Sequence, residues 1–262
     1  MTIPIPRPVP WVAKTRGQLY RSLAARHAIF CEGEGGEVLE VCTAESDVSL
    51  HDEFDVHADH FGVTLGRRTI ATGRLILSES PWSLPTGRIL SRLEDAPKLQ
   101  EGVRYSEPSR VGMVTAYQRT AVGLIGLLGL IGLIADVSID RGFDHYLLTL
   151  RGDLVRSVSW FPWILSPPFD YPASEGGPII KEPVWPATLN LHELVVATHW
   201  RPPSIGRAIF ATDPSWFDPS KVTPAPQLRA RIRRNQTMVR DVTASWSAGD
   251  YKLATLRNEA RQ

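Results

Sequence analysis

The sequence predicts an α/β protein with a mixed central sheet flanked by helices and a C-terminal extension, and three observations carry that prediction. Tyr105–Thr115 ends in a mostly apolar stretch suited to a central strand and leads into a glycine-rich apolar run from Thr120 to about Asp140. Arg141-Gly142 closes that run, and His145–Leu150 reads as a second buried strand. A helix over Arg151–Trp160 and a strand near Trp163–Leu165 continue the alternation of strand and helix that marks the class.

Each remaining element has its own local reason. Pro4, Pro6, Pro8 and Pro10 exclude a helical secretory leader, so the N-terminus is expected as an extended arm pinned by Trp11. Over Lys14–Phe30, Leu19, Leu23, Ala24 and Ile29 recur at helical spacing, and the EGEGG run at 32–36 stops that helix. An irregular acidic loop follows to Asp55. Phe61–Leu77 is rich in β-branched residues and predicts a hairpin turning at Gly66-Arg67. Pro81, Pro85 and Pro97 make 80–102 a loop with one helical turn near Leu90–Leu93. AVGLIGLLGLIGLIA, Ala121–Ala135, is shorter than the ~20 residues that span a bilayer. With glycine at 123, 126, 129 and 132 it predicts a buried helix packed closely on the sheet, and no membrane span. Past Pro167 the pattern weakens to a strand at His192–Ala197, a loop over Arg201–Pro226 and a basic helix over Gln227–Arg240. The organisation expected is one domain over 1–200 and an extension over 201–262.

Composition removes several functions. The 262 residues carry 29 Lys+Arg against 28 Asp+Glu, a net charge of +1, which gives no global pull toward nucleic acid. Cys31 and Cys42 are too few for a thiolate metal site or a disulfide scaffold, and reduced thiols fit a cytoplasmic protein. His57 and His60 beside Asp59 do not converge on one metal, so no metal is expected. The GxSxG, HExxH, P-loop and GxGxxG patterns are absent from the sequence.

Three short segments carry chemistry. Asp52-Glu53-Phe54-Asp55 sets carboxylates around an aromatic residue, able to hold a cation or ammonium or to be a solvated loop. Glu107-Pro108-Ser109-Arg110 puts opposite charges at the start of a buried strand, where burial forces them into a cleft or a pair. Gln118-Arg119-Thr120-Ala121-Val122-Gly123 lies at a strand-to-helix junction that suits a phosphate, and resembles in degenerate form the acyl-CoA loop of the GNAT acyltransferases.

In order along the chain these pieces resemble the acyl-homoserine-lactone (autoinducer) synthases, a branch of the GNAT fold. Arg26 and Phe30 match the family's R-x-x-x-F, and Asp52 to Asp55 matches its D-x-[FY]-D. Thr72-Gly73-Arg74-Leu75 is similar to its Arg-bearing strand, Glu107-Pro108-Ser109-Arg110 to its E-x-S-R, and Arg141–Tyr146 to its helix end and following strand. The likeness covers about residues 15–170. Two positions depart: Gly35 and Gly36 stand in the region of a family Trp, and the aromatic after the third strand is replaced near Ile89 or Leu90.

The resemblance implies a GNAT-like sheet whose fourth and fifth strands splay, with quorum-sensing signal synthesis as the activity. It implies Glu107 as general base, Arg110 beside it, and an acceptor held by Arg26, Phe30, Asp52, Asp55, Arg74 and Ser109. Leu147 and Trp163, with Leu127 and Leu130, are expected as acyl walls, and an amide within Arg110–Val114 as carbonyl partner. Gln118, Arg119, Gly123 and Arg151 are expected to meet the phosphopantetheine arm or its carrier, with Arg156 and Arg229–Arg234 as further docking charges. No tightly bound cofactor is implied. The substrates are S-adenosylmethionine, a small-molecule acceptor, and a thioester of acyl carrier protein or, alternatively, acyl-CoA. An N-acyl amino acid synthase and a non-enzymatic binding module are the other readings.

Overall fold

The computed structural model describes residues 7–30, 52–91, 99–169, 184–201, 207–210 and 214–247. Most of the expected acidic loop, with Gly35, Gly36, Cys31 and Cys42, lies outside these residues.

The N-terminal arm is extended but is a strand: β1 (Val9–Val12) pairs antiparallel with β2 (Ala58–Leu65) at the margin of the sheet, where Pro10 is tolerated. Trp11 does pin it, donating its indole N–H to Thr64 Oγ1 at 2.7 Å while its ring fills the space over Gly62. α1 (Arg16–Phe30) follows. β2 turns back through Gly66, at φ 61°, into β3 (Arg68–Leu77). The expected turn at Leu90–Leu93 is instead the helix α2 (Pro85–Leu90), because Pro85 fits the first helical position.

β4 (Tyr105–Met113) pairs antiparallel with β3 and leads, through a 3-10 turn at Thr115–Tyr117, into α3 (Ala121–Asp140). α3 packs on the sheet as foreseen, with Leu130, Ile134 and Ala135 in the core, but it is only partly buried: Leu124 and Ile125 near its start are half exposed. It is also long and apolar enough to cross a membrane, but its small residues meet protein: a Cβ at Gly132 would lie 1.9 Å from the carbonyl oxygen of Ile209. β5 (His145–Arg151) then runs parallel to β4, and α4 (Gly152–Ser157) and β6 (Ile164–Leu165) follow it.

The next stretch differs from expectation. The strand is β7 (Val184–Asn190), and His192–Ala197 lies within a helix, α5 (Leu191–His199). Asn190 decides the switch: its side chain accepts from the amides of His192 and Glu193 and caps the helix. Pro186 is admitted to β7 where the two-residue β6 has already ended opposite Ala187. α6 (Ala225–Ser247) is the basic helix, and it inserts Val239 into the main core beside Ile209 and Phe210.

The sheet order is β1-β2-β3-β4-β5-β7-β6, mostly antiparallel. Two features shape its centre. β4 and β5 pair only at Tyr105–His145 and Ser106–Tyr146, and then part. Opposite Gly73, β4 carries an extra residue between Ser109 and Gly112, and Arg110 takes a left-handed φ of 51° there. α3 covers one face, since Gly73 looks onto Ile134 and Leu130. α1 covers the other, where Ser22 bonds Thr72, and α2 lies on that same side.

Candidate active site

Side chains alternate along a strand, so Arg74 and Ile76 of β3 share a face with their partners Ser109 and Glu107 of β4. This is the face covered by α1 and α2, away from α3. Arg26 of α1 crosses it to grip Asp55 with both terminal nitrogens, at 2.8 and 2.9 Å. Arg74 bonds Asp55 at 2.8 Å, Asp52 at 2.7 Å and Ser109 Oγ at 2.8 Å. Arg110 completes the array with a nitrogen 3.7 Å from Asp52.

Burial divides this array in two. Arg26, Asp55 and Arg74 are 2%, 5% and 3% exposed, with both guanidinium groups bonded to the one carboxylate. Desolvation alone would raise the Asp55 carboxyl, but hydrogen bonds from Arg26 and Arg74 outweigh it and hold the group well below the usual carboxylate range. The side chains of Asp52 and Arg110 keep 29% and 21% of their surface, so these two present charge to an incoming molecule. Burial, with repulsion from Arg74, lowers the Arg110 guanidinium from its ordinary value.

Glu107 sits where β4 leaves β5. It is 4% exposed, and Thr86 of α2 satisfies both its oxygens: the backbone N–H donates to Oε2 at 2.8 Å and the hydroxyl to Oε1 at 2.9 Å. Burial pushes its pKa up to about 8, against the opposing pull of the Thr86 bonds and the Arg74 charge. Thr86 Oγ1 also bonds Thr149 Oγ1 of β5, at 2.9 Å.

The remaining expected residues fall in three places. Phe30 lies against Gly112 of β4. Leu147 is fully buried with Ile76, Leu84, Leu90 and Tyr105 on the Glu107 face, and with Tyr105, Ile164, Ala187 and Thr188 it lines a small pocket. Trp163 is elsewhere: it stacks on Phe161 in the main core, donates to the Val158 carbonyl, and receives the Asn235 amide at its own carbonyl. Leu127 and Leu130 belong to α3 and the core behind the sheet, because α3 packs against the face opposite Arg74.

At the α3 junction, Gln118 and Arg119 are exposed, with the Gln118 amide spent on the Met113 carbonyl. Thr120 caps the helix by accepting from the Gly123 amide at 3.0 Å. Arg151 is half-buried at the end of β5, and Arg231 is consumed by an ion pair with buried Glu193. Sequence reasoning missed Thr86 and Thr149. Pro85 was the available signal, since a proline at a helix start leaves the next amide free for a carboxylate.

A mixed sheet that splits between parallel β4 and β5, with charge gathered at the split, is the GNAT-like layout. No family model matches the sequence, and no curated protein matches it. Solved structures share its fold. FeeM, an N-acyl amino acid synthase from uncultured soil microbes, matches with TM-score 0.50 and 12% identity over 73% of this chain and 94% of its own. The AHL synthase LasI matches with TM-score 0.50 and 10% identity over 79% and 96%. BjaI, a CoA-dependent acyl-homoserine lactone synthase solved with SAM and isopentyl-CoA, matches with TM-score 0.50 and 18% identity over 78% and 98%. The chain thus has the fold of the acyl-homoserine lactone and N-acyl amino acid synthases.

Proposed function

We propose that this protein is an acyltransferase that moves an acyl group from a thioester to the amine of an α-amino acid moiety, with S-adenosylmethionine as acceptor and an acyl-homoserine lactone as product. The observation that carries the reading is the pairing of buried Glu107 with the half-open Asp52–Arg110 couple at the β4–β5 split. Asp52 takes the acceptor's ammonium and Arg110 its carboxylate, with Arg26, Asp55 and Arg74 fixing both in place. A guanidinium suits the carboxylate because it offers several directed donors.

The amine is a nucleophile only once it loses a proton, given a reference pKa near ~8. Glu107, with a pKa of about 8, is matched to accept it. As the nitrogen attacks, charge grows on the thioester oxygen, and an amide in Arg110–Val114 on the unpaired side of β4 is suited to meet it. The thiol then leaves. With S-adenosylmethionine, the carboxylate next attacks the γ-carbon and expels methylthioadenosine.

The donor is acyl carrier protein in this reading, with acyl-CoA as the other source; BjaI is a CoA-dependent enzyme. Gln118, Arg119, Gly123 and Arg151 are proposed to meet the pantetheine arm or its carrier, and Leu147 to wall the acyl chain. An ordinary amino acid as acceptor is the second reading, and Gly35-Gly36 in place of a family Trp favours it. Incubation with acyl carrier protein and CoA thioesters, plus S-adenosylmethionine or each amino acid, separates them by product mass. Methylthioadenosine release marks the first acceptor, and free thiol without it marks the second. No product from any pair overturns both.

A further inference from the structure

Resting on the acyl-transfer reading, we infer that the hydroxyls of Thr149 and Thr86 form a proton relay that carries the acceptor's proton from the crevice to Glu107. The carboxylate is closed to direct approach: it is 4% exposed, with the Thr86 amide on Oε2 and the Thr86 hydroxyl on Oε1. Thr86 is itself buried, at 1%. Its hydroxyl has one further neighbour, Thr149 Oγ1 at 2.9 Å. Thr149 is half-buried, lies past the last β4–β5 pair, and shares its strand face with Leu147. Three elements, β5, α2 and β4, thus deliver one hydrogen-bonded file across the gap where backbone pairing has ended.

The hydrogen bonds already point the right way. Thr86 donates to Glu107, and Thr149 is free to donate to Thr86. As the acceptor nitrogen bonds to the thioester carbon, its N–H bond breaks and an O–H bond forms at Thr149. Thr149 passes its original proton to Thr86, and Thr86 passes its own to Glu107 Oε1. No alkoxide forms, and the net change is one proton moved from amine to carboxylate. The departing thiolate takes a proton from solvent, and Glu107 is discharged through the same two hydroxyls.

A purely structural brace across the split makes different predictions, and Thr149 variants separate the two. With a donor–acceptor pair that the wild type converts, Thr149→Val is expected to lower kcat ~10- to 100-fold. KM for both substrates stays within about twofold of wild type. A curved single-turnover proton inventory in mixed H2O and D2O becomes linear. Thr149→Ser restores most of the rate, and thermal unfolding verifies that both variants fold. Wild-type kcat in Thr149→Val, or equal losses in the Ser and Val variants, overturns the relay while acyl transfer stands. Absence of amide product from the wild type with every pair overturns acyl transfer, and the relay with it.

Discussion

Glu107 couples the chemistry of this site to its stability, because a carboxyl with a pKa of about 8 is costly to ionise where it sits. For turnover, the ionised form is required, so kcat/KM rises with pH toward a plateau above about 8. Glu107→Gln should lower kcat ~10²- to 10⁴-fold and leave thioester affinity unchanged, measured by steady-state kinetics and donor titration. For folding, the sign is opposite. Between 4.5 and about 8 the unfolded chain ionises this group and the folded chain does not, so stability falls across that window. Asp55 acts in the usual direction: its contribution is present above about 3.8 and lost as pH falls below. Chemical denaturation from pH 4 to 9 should show a contribution that declines by ~3 to 5 kcal/mol as pH rises from 4.5 to about 8, and that Glu107→Gln removes. Asp55→Ala, which takes from buried Arg26 its carboxylate partner and from Arg74 one of its two, should cost ~3 to 5 kcal/mol at neutral pH in the same assay. Glu107 and Arg110 were legible as opposite charges at the start of a buried strand and Asp52 to Asp55 as a cluster of carboxylates, whereas Arg26 and Arg74 were placed with them only by the ordered resemblance to a family. Thr86 was not, since it is a common residue in a proline-rich stretch and only the fold sets it against Glu107.

At the scale of elements, strength of local pattern decided what could be read. α1, the β2–β3 hairpin, β4, α3 and β5 announce themselves by period or by an uninterrupted apolar run. β7 and α5 were misassigned because Pro186 argues against a strand and Val195-Val196 against a helix, while the deciding cap, Asn190, acts through two hydrogen bonds invisible to pattern. The wall residues expected on α3 lie across the sheet from Leu147 for a related reason: apolarity reports burial but not which side of a sheet is buried. The glycines of α3 are spacing devices, and Gly132 is the tightest. Gly132→Ala drives its methyl into the Ile209 carbonyl, so the helix must shift from the 207–210 segment. A loss of ~1 to 3 kcal/mol by thermal or denaturant unfolding is expected, against less than 1 for Gly129→Ala, where the nearest atom is 3.6 Å away.

For the molecule as a whole, the C-terminal helix is bound into the first two hundred residues rather than appended to them. Leu228 and Val239 are buried, Asn235 bonds the Trp163 carbonyl at 2.7 Å, and Arg231 neutralises buried Glu193. Truncation before Ala225 should therefore leave Glu193 uncompensated and yield an aggregating product, read by size-exclusion chromatography and circular dichroism. Both margins of the sheet are blunt. β1 is four residues long and contains Pro10, and β6 is two residues long. Among the described residues a neighbouring chain finds no long row of free amides at either margin to zip onto, so these two strands offer little template for fibril growth.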